Sequence, residues 1–425
     1  MPRVPSEAFR APKGVHDVLP PESGTWAELV ARFADRAARS GYGLIISPVF
    51  EHIEVFQRVG EHTDVVSKEM YELTDKGGRI LALRPEGTAS VVRAYVQHRP
   101  TAPWKVWYVA PNFRYERAQK GRYRQHWQVG VEVLGVDDPT VDVEVIALAH
   151  AFYRDDLGLQ HTRLLVNSMG DAETRSRYRG VLIEYWRGHA ALLGDEMTRA
   201  EANPLRVLDS KRADWQDMIE AAPQIGDHLT KEAGAEFETV QEGLQRLGIA
   251  FEIEPRLVRG LDYYTGTTFE FQSDALDAAQ NAIGGGGRYD GLVEQMGGRA
   301  TAGIGFGIGI ERVLIVCDTE GVFGAPAASV DVFVIDTVGG LEALTLVSEL
   351  RVLGLSAERS YGNRSMKKQW SAADRAGARW GVLLAPREMS EGKVAVKHLA
   401  TGEQVEVKRE EVAAWLRTRE DADNS

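Results

Sequence analysis

The sequence predicts an α+β protein, in which a sheet-based domain is interrupted by a helical segment and followed by a small α/β domain. Around 105–133 and 301–310, apolar residues recur with period two, which is typical of strands. Between 170 and 254 the pattern is helical, and after 329 strand and helix patterns alternate. We therefore expect four segments: a first part of the core at 1–168, a helical insertion at 169–254, a second part of the core at 255–326 and a separate domain at 329–425.

Composition indicates an ordinary soluble globular protein. The chain has 425 residues, of which 44% are hydrophobic and 26% charged. With Cys317 as the single cysteine, neither a disulfide framework nor a cysteine-based zinc site is possible within one chain, and we assign no metal ligands. We expect no signal peptide and no membrane span, since no apolar run approaches ~18 residues, and we expect a cytoplasmic protein. The net charge of −12 argues against indiscriminate nucleic-acid binding but allows a local basic patch.

The first elements predict a helix and an edge strand. Trp26–Ser40 carries apolar residues at helical spacing, and Gly43–Phe50 reads as a strand that Pro48 interrupts or confines to an edge. This pair is either scaffold or a dimer surface.

A short strand at Ile80–Leu83 leads to a predicted helix at Ala89–Gln97, with Thr88 as its N-cap. Glu86 precedes the cap. It either belongs to an ordinary capped helix start or is a carboxylate held ready for a substrate ammonium group.

The stretch Asn112–Glu132 predicts a hairpin with a basic loop. On the return strand, alternation places Gln128, Gly130 and Glu132 on one face and apolar residues on the other. Residues 114–124 contain five cations and one acid, a local reversal of sign in an acidic chain. The hairpin is either a solvated edge or an anion site, because arginine forks match phosphate oxygens.

Two later stretches also favour a binding site. Leu257–Phe271 combines Arg259 with an aromatic pair, Tyr263 and Tyr264, and a glycine-rich loop follows at 284–287. In Thr301–Cys317, glycines at 303, 305, 307 and 309 share one strand face. That face either stacks against a flat ligand such as adenine or presses against another backbone. Neither a Rossmann fingerprint nor a P-loop occurs in the sequence.

The last hundred residues predict a small domain with one basic half. Its elements are expected at Val330–Ile335, Leu341–Leu353, Leu355–Glu358, Ser365–Ala376, Trp380–Leu384, Lys393–Lys397 and Glu410–Arg417. Seven cations in its first half would suit a phosphate backbone: Arg351, Arg359, Arg364, Lys367, Lys368, Arg375 and Arg379.

Taken together, these stretches resemble the histidyl-tRNA synthetase family of class II aminoacyl-tRNA synthetases. RPEGTASVVRAYV, FRYERAQKGRYRQHWQVGVEVLG, LVRGLDYYTGTTFEF and GFGIGIERVL are similar, in that order, to the family's early substrate loop, motif 2, histidine-specific loop and motif 3. The helix and Pro48 strand resemble motif 1, which builds the family's dimer interface. The resemblance is collinear over nearly the whole chain and implies an antiparallel catalytic sheet flanked by helices, a helical insertion and a C-terminal α/β anticodon-binding domain.

The resemblance also implies an activity. The enzyme would activate L-histidine with ATP and Mg²⁺ to histidyl-adenylate, release pyrophosphate, and transfer the histidyl group to tRNA(His) as a homodimer. Arg114 and Arg259 would be catalytic at the α-phosphate, Arg312 would bind the γ-phosphate, and Arg122 would lie near the triphosphate.

The histidine site implied by the resemblance contains seven side chains: Glu86, Thr88, Gln128, Glu132, Tyr263, Tyr264 and Tyr289. Glu86 and Thr88 would bind the α-ammonium, and Gln128 would lie beside the carboxylate. The imidazole would lie between Glu132 and Tyr264. A buried acceptor and donor that require both ring nitrogens would reject other amino acids. We assign no role to His16 or His126.

Three alternatives are weighed against this interpretation. A regulatory subunit of ATP phosphoribosyltransferase shares the catalytic fold but lacks the C-terminal tRNA domain and has lost motif residues, whereas Arg114, Arg259 and Arg312 are all present here. A non-catalytic RNA sensor usually lies within a longer chain and has eroded ATP arginines. A class II synthetase for another amino acid is opposed by the loop from Arg259 to Tyr264.

Overall fold

The structure is a computed structural model. It describes residues 9–60, 64–117, 119, 121–208, 210, 212–257, 263–276, 281–324, 330–362 and 364–423. Two compact units, Met1–Gly324 and Ala325–Ser425, are each considered separately.

The first unit contains helices of very different length. Its α-helices are α1 Glu22–Arg39, α2 Ile53–Gly60, α3 Asp64–Ser67, α4 Thr88–His98, α5 Pro139–Ala151, α6 Ala172–Gly188, α7 Ala190–Leu193, α8 Met197–Ala202, α9 Leu205–Leu208, α10 Gln216–Glu220, α11 Lys231–Arg246, α12 Leu292–Gln295 and α13 Ile310–Glu320. A π-helical turn at Phe152–Asp156 extends α5.

The strands of this unit form two sheets. They are β1 Gly43–Leu44, β2 Phe50–His52, β3 Tyr71–Thr74, β4 Ile80–Leu83, β5 Trp104–Phe113, β6 Gln125–Leu134, β7 Thr162–Ser168, β8 Glu252–Ile253, β9 Thr265–Ser273, β10 Ala282–Arg288 and β11 Gly303–Gly309. The large sheet has the order β1-β5-β6-β11-β10-β9-β7-β8, and the small one β2-β4-β3. The six inner strands of the large sheet, which are β5, β6, β11, β10, β9 and β7 in spatial order, pair antiparallel with their neighbours. The short edge strands β1 and β8 pair parallel with β5 and β7.

Both faces of the large sheet are covered. On one face α1, α5, α11 and α13 pack on the apolar side of the strands, and Phe33, Val131, Ile146, Val240 and Phe306 are buried there together. The other face packs against α2, α4 and α12 and includes tyrosines among its buried residues. The α+β class with an antiparallel sheet flanked by helices is confirmed.

The interruption predicted from Pro48 within Gly43–Phe50 is confirmed: β1 ends at Leu44 on the edge of the large sheet, and Phe50 begins a different strand, since proline has no amide to donate to a ladder. Two other local predictions are wrong. Gly87, not Thr88, is the N-cap of α4. The glycine-rich loop at 284–287 is part of the central strand β10, because β11 approaches so closely that a Cβ at Gly286 would collide with the Gly305 carbonyl oxygen.

Residues 169–254 are mainly helical but do not pack as one body. Residues from Met169 to Ile225 share a core built around Trp186 and Trp215. Helix α11 instead packs on the main core through Phe237, Val240 and Leu244.

The second unit is a five-stranded sheet with helices. Its elements are β12 Val332–Asp336, α14 Leu341–Val352, β13 Ala357–Arg359, α15 Met366–Arg375, β14 Trp380–Leu384, α16 Pro386–Ser390, β15 Lys393–His398, β16 Gln404–Lys408 and α17 Val412–Asp423. The strand order is β13-β12-β14-β15-β16. The alternation predicted from sequence is confirmed here, except that β16 and the short α16 were not foreseen.

No helix among the described residues combines the length and the apolar character that a bilayer crossing requires.

Candidate active site

The predicted functional residues meet on one face of the large sheet, across β5, β6, β11 and β10. Strand register sets Gly305 opposite Glu132 and Gly309 opposite Gln128. Because each strand residue advances about 3.3 Å, these two positions are roughly 13 Å apart along the strand. The face therefore has two ends: a closed end at Glu132 and an open end beyond Gln128.

At the closed end, the Glu132 carboxylate is fully buried and bonded to hydroxyl groups. The Thr88 hydroxyl donates to Oε1 at 2.7 Å, and the Tyr289 hydroxyl donates to Oε2 at 2.6 Å. The pKa of Glu132 is raised to about 8, chiefly by burial and in smaller part by the nearby Glu86, while the hydroxyl donors oppose that rise. A buried carboxyl whose pKa lies near neutrality is a common property of functional sites.

Tyrosine rings enclose this end. The ring centroid of Tyr263 lies 4.6 Å from that of Tyr264 and 5.9 Å from that of Tyr289. Tyr263 and Tyr289 are buried, and burial raises the pKa of both phenols well above its usual value. The predicted neighbours Glu132, Tyr263, Tyr264 and Tyr289 therefore come together, with the hydroxyl of Tyr289 bonded to Glu132.

The Glu86 carboxylate caps helix α4. Its two oxygens accept the amides of Thr88 at 2.6 Å and Ala89 at 2.8 Å. This satisfies two amides at the helix start, where the helix dipole favours negative charge. Burial raises the pKa of Glu86, although these two amides oppose the rise. The prediction that Glu86 belongs to a capped helix start is confirmed. Its role in binding a substrate ammonium group stays a prediction.

The glycines of β11 serve different purposes at the two ends. A Cβ at Gly303 would collide with the Tyr289 ring, and one at Gly305 would collide with the Glu132 carboxylate. At Gly307 a Cβ would only touch Gln128 at 3.5 Å, and at Gly309 it would meet nothing within 4 Å. The first pair makes room for the protein's own side chains, whereas the second pair leaves the open end bare.

A cavity of about 220 Å³ occupies the open end. Its lining from the sheet includes Gln128, Gly284 on β10, and Gly307 and Gly309 on β11. Its cationic lining comes from Arg114, Arg122 and Arg312. The three arginines foreseen here as an anion site thus converge, while Arg259 and Lys120 lie outside the described residues.

The arginines are held mainly by neighbouring backbone and by one carboxylate. Arg114 donates through Nε to the Pro85 carbonyl at 2.9 Å. Arg312 donates to the Gly121 carbonyl at 3.0 Å and to the Ala282 carbonyl at 2.9 Å. Arg122 forms an ion pair with Glu116.

Like charges are crowded in this cavity. Burial lowers the pKa of Arg312, and the positive charges of Arg122 and Arg114 lower it further. Burial and the same three arginines lower the pKa of His126 to about 3, so its imidazole is neutral near pH 7. An anionic ligand would relieve this repulsion, which makes the cavity suited to phosphate groups.

Two residues of the site were missed from sequence. Glu311 lines the cavity, and both its carboxylate oxygens accept the Trp127 amide, at 2.9 and 3.1 Å. Tyr108 lies buried against Gly87 and Gly130, where a Cβ on either glycine would overlap its ring. Period-two alternation along β5 could have placed Tyr108 on the site face. For Glu311 the only signal in the sequence was an acid in the first turn of a helix, next to Arg312.

Gln128 lies between the two ends. Its Oε1 accepts a hydrogen bond from the Asn112 amide at 2.6 Å. This bond fixes the side chain in the sheet face, beside Gly307. Among the residues that the structure describes, no group of three or more histidine, cysteine or acidic side chains is arranged to hold a metal ion.

Comparisons with known proteins agree with these features. Residues 14–313 match the histidyl-tRNA synthetase family, and residues 331–419 match the anticodon binding domain family. The histidine–tRNA ligase of Rhodococcus erythropolis is 49% identical over 419 residues, covering 97% of this chain and 98% of that protein. The histidine–tRNA ligase of Saccharopolyspora erythraea is 46% identical over 415 residues, covering 96% and 98%.

Solved structures give the same result. Apo histidyl-tRNA synthetase of S. aureus superposes with a TM-score of 0.83 at 34% identity, covering 96% of this chain and 100% of that one. A Bacillus halodurans protein described as an ATP phosphoribosyltransferase regulatory subunit/histidyl-tRNA synthetase has a TM-score of 0.61 at 23% identity, covering 84% and 93%, and shares the fold. The chain belongs to the histidyl-tRNA synthetase family of class II aminoacyl-tRNA synthetases, as its motifs predicted.

Proposed function

We propose that this protein ligates L-histidine to tRNA(His) through a histidyl-adenylate intermediate. One observation carries the proposal: a cationic cavity and the closed end around the buried Glu132 carboxyl group lie on one sheet face, on either side of Gln128. A triphosphate at one end and an amino acid at the other would meet in the middle. The regulatory-subunit alternative is disfavoured, because the C-terminal domain and Arg114 and Arg312 are present.

In the first step, an oxygen of the histidine carboxylate attacks the α-phosphorus of ATP, and the bond to the β-phosphate bridging oxygen breaks to release pyrophosphate. Two anions approach each other, so the barrier is lowered by positioning and by positive charge. Arg114 would hold the α-phosphate and the carboxylate, with Arg259 adding charge at the same α-phosphate. Arg312 would bind the γ-phosphate, with Arg122 near the triphosphate. In the second step, a ribose hydroxyl of the terminal tRNA adenosine attacks the carbonyl carbon, and AMP leaves.

The closed end would bind histidine. We assign the imidazole to Glu132 and Tyr264, the α-ammonium to Glu86 and Thr88, and the carboxylate side to Gln128. Tyr263 and Tyr289 would line the pocket. Because the Thr88 and Tyr289 hydroxyls donate to Glu132, a ring N–H would join donors that orient this carboxyl group. If Glu132→Gln left the KM for histidine unchanged, this assignment would be withdrawn.

Mg²⁺ is proposed to enter with ATP. Magnesium usually keeps several waters and binds through substrate phosphates and one or two carboxylates. The cavity carboxylates Glu116 and Glu311 already hold Arg122 and the Trp127 amide. We therefore expect Mg²⁺ to be coordinated mainly by the phosphate oxygens of ATP, where it would screen the charge of the triphosphate.

We propose a homodimer formed through the motif 1 region. Apolar side chains are exposed there: Ile46 is 87% exposed, Phe50 54% and Leu44 53%. Together with the exposed Leu73 and Ile80, they form the kind of apolar surface that marks an interface. Analytical ultracentrifugation should give a dimer for the wild type and a monomer for Ile46→Asp, and a monomeric wild type would refute this assignment.

tRNA binding would involve the C-terminal domain at 329–425 and the helical insertion at 169–254. Arg364, Lys367, Lys368 and Arg375 are exposed along the start and face of α15, as an electrostatic contact to phosphates requires. Arg351 instead donates to the Ala357 carbonyl at 2.7 and 3.0 Å, which is a structural use. A cytoplasmic location, where tRNA is charged, remains part of the proposal.

ATP–pyrophosphate exchange with each amino acid in turn tests the activation step. We expect exchange with histidine alone, largely lost in Arg259→His because that change removes a permanent cation. A matched control is Arg79→His, since Arg79 is exposed, pairs with Asp75 and does not line the cavity. Folded protein that binds histidine but exchanges with no amino acid would favour the regulatory alternative.

A further inference from the structure

Where strand β11 ends, one backbone amide of β6 donates its hydrogen bond to a side chain instead of to a strand carbonyl group. The β11–β6 ladder runs as far as the pair Gly309–Gln128, and the chain then turns into α13. The next amide of β6, that of Trp127, is accepted by both oxygens of Glu311, at 2.9 and 3.1 Å. Since a backbone N–H away from water needs an acceptor, the Glu311 carboxyl replaces the missing strand partner.

The same helical turn carries Arg312 into the cavity. Arg312 donates to the Gly121 carbonyl of the basic loop and to the Ala282 carbonyl of β10. Arg312 is partly buried and lines a cavity that is also lined by Arg114 and Arg122, whose positive charges repel it. The protein must therefore hold this cation in place, and Glu311 supplies the connection to β6.

We propose that Glu311 is a positioning residue for the open end, where the nucleotide would bind. It acts through the hydrogen bonds that its side-chain oxygens accept from the Trp127 amide, and not through its charge. The proposal rests on the proposed function, in which Arg312 binds the γ-phosphate. A negative charge would oppose a triphosphate in this cavity. Accepting an amide, in contrast, requires only a correctly placed oxygen lone pair.

The ionisation of Glu311 agrees with this role. Burial raises the pKa of its carboxyl group to about 7, although the Trp127 amide opposes the rise. Near neutral pH a large share of molecules therefore carries an uncharged carboxyl in the cavity.

Three variants separate the effect of side-chain length, which allows the hydrogen bond to Trp127, from the effect of charge. Glu311→Gln keeps the oxygen and the reach but removes the charge. Glu311→Asp keeps the charge but shortens the side chain by one methylene, and Glu311→Ala removes both. In histidine-dependent ATP–pyrophosphate exchange we expect the KM for ATP to rise about 10-fold in the Asp and Ala variants and by less than about 3-fold in the Gln variant. The KM for histidine should stay within about 2-fold of the wild type in all three.

The other end of the same helix provides a matched control. Glu320 also accepts a distant backbone amide, that of Gln160, at 2.9 Å. Glu320→Ala removes an equivalent bond outside the cavity lining. We expect a melting-temperature loss similar to that of Glu311→Ala, with the KM for ATP unchanged.

The outcomes are distinguishable. A Gln variant as impaired as Ala, or an Asp variant closer to wild type than Gln, would overturn the proposal, as would equal rises in both KM values. If Glu311→Ala does not fold, the Gln and Asp variants decide. A wild type without histidine-dependent exchange would count against the proposed function instead, and calorimetric titration of ATP into the same variants would then test Glu311 separately.

Discussion

The closed and open ends of the sheet face use the same glycine repeat for opposite purposes. At the closed end, Gly303 and Gly305 are bare so that Tyr289 and Glu132 can lie across them. At the open end, Gly307 and Gly309 are bare and border the cavity. A glycine-rich strand can thus be pressed against protein at one end and border an open cavity at the other, so close packing at one end leaves ligand binding at the other end possible.

The two ends also differ in how charge is held. Glu132 is a buried acid whose partners are hydroxyl groups, and its pKa is raised to about 8. Arg312 is a cation whose hydrogen bonds go to two backbone carbonyl groups. Neutral anchors fix a charged group without cancelling its charge, which leaves that charge available to a ligand.

The largest expected effect is at the open end. Arg114→Ala should lower the rate of histidine-dependent pyrophosphate exchange by roughly 100-fold to 1000-fold, because it removes a fixed positive charge from the place where we propose that the carboxylate meets the α-phosphate. Arg79→Ala, which breaks an exposed pair with Asp75, should change the rate by less than about 2-fold. Equal losses in both variants would mean that Arg114 acts through stability alone.

Gly305→Ala should disrupt the packing of Glu132 at the closed end. The added methyl group collides with the Glu132 carboxylate, so we expect a loss of about 1–3 kcal/mol in the free energy of unfolding and a higher KM for histidine. Gly309→Ala meets nothing within 4 Å and should change the free energy of unfolding by less than about 0.5 kcal/mol. Chemical denaturation of the two variants measures the contrast. If they are equally stable, the distinction between the two glycine pairs is wrong.

Glu132→Gln should change how stability depends on pH. The folded-state pKa of about 8 exceeds the ordinary value of 4.5, so the folded protein binds this proton more tightly than the unfolded chain. The free energy of unfolding of the wild type therefore falls as pH rises between these two values, by up to about 1.4 kcal/mol per pH unit from this group. The Gln variant lacks this contribution, so its stability relative to the wild type should improve steadily from pH 5 to pH 8. A constant difference across that range would show that the pKa of Glu132 is not raised.

Tyr289→Phe should have the smallest effect. It removes one hydroxyl donor to Glu132 and keeps the ring against Tyr263, so we expect a loss of about 1 kcal/mol in the free energy of unfolding. The pKa of Glu132 should rise further, because the lost donor stabilised the charged form. Tyr361→Phe, at a side chain 66% exposed, is the control and should be neutral in thermal denaturation. A neutral Tyr289→Phe would indicate that the hydroxyl contributes nothing at this site.

Local patterns were sufficient for the elements that carry the site. Strand alternation correctly placed Gln128, Gly130 and Glu132 on one face of β6, because successive side chains point to opposite sides of a sheet. The same argument foresaw the shared face of the four glycines on β11. The arginines of the basic loop were recognised by their local charge in an acidic chain.

Long-range contacts account for what was missed. The run at 284–287 was expected to be a loop, since glycine is favoured in loops, yet it pairs on both sides within the sheet. The assignment of Thr88 as N-cap failed because Glu86, two residues upstream, supplies the capping oxygens. The partner of Glu311 is an amide 184 positions away, which no local pattern can indicate.

The sequence by itself determined the class of fold, the order of the elements and the residue types that meet at the site, because periodicity, glycine and charge act over a few neighbouring positions. Only the tertiary structure decided which partners these residues have. Glu132 is bonded to Thr88 and Tyr289, and Arg312 to Gly121 and Ala282, because strand register brings distant segments to the same place. Burial and these neighbours then shift the pKa of each group, upward for Glu132 and downward for Arg312.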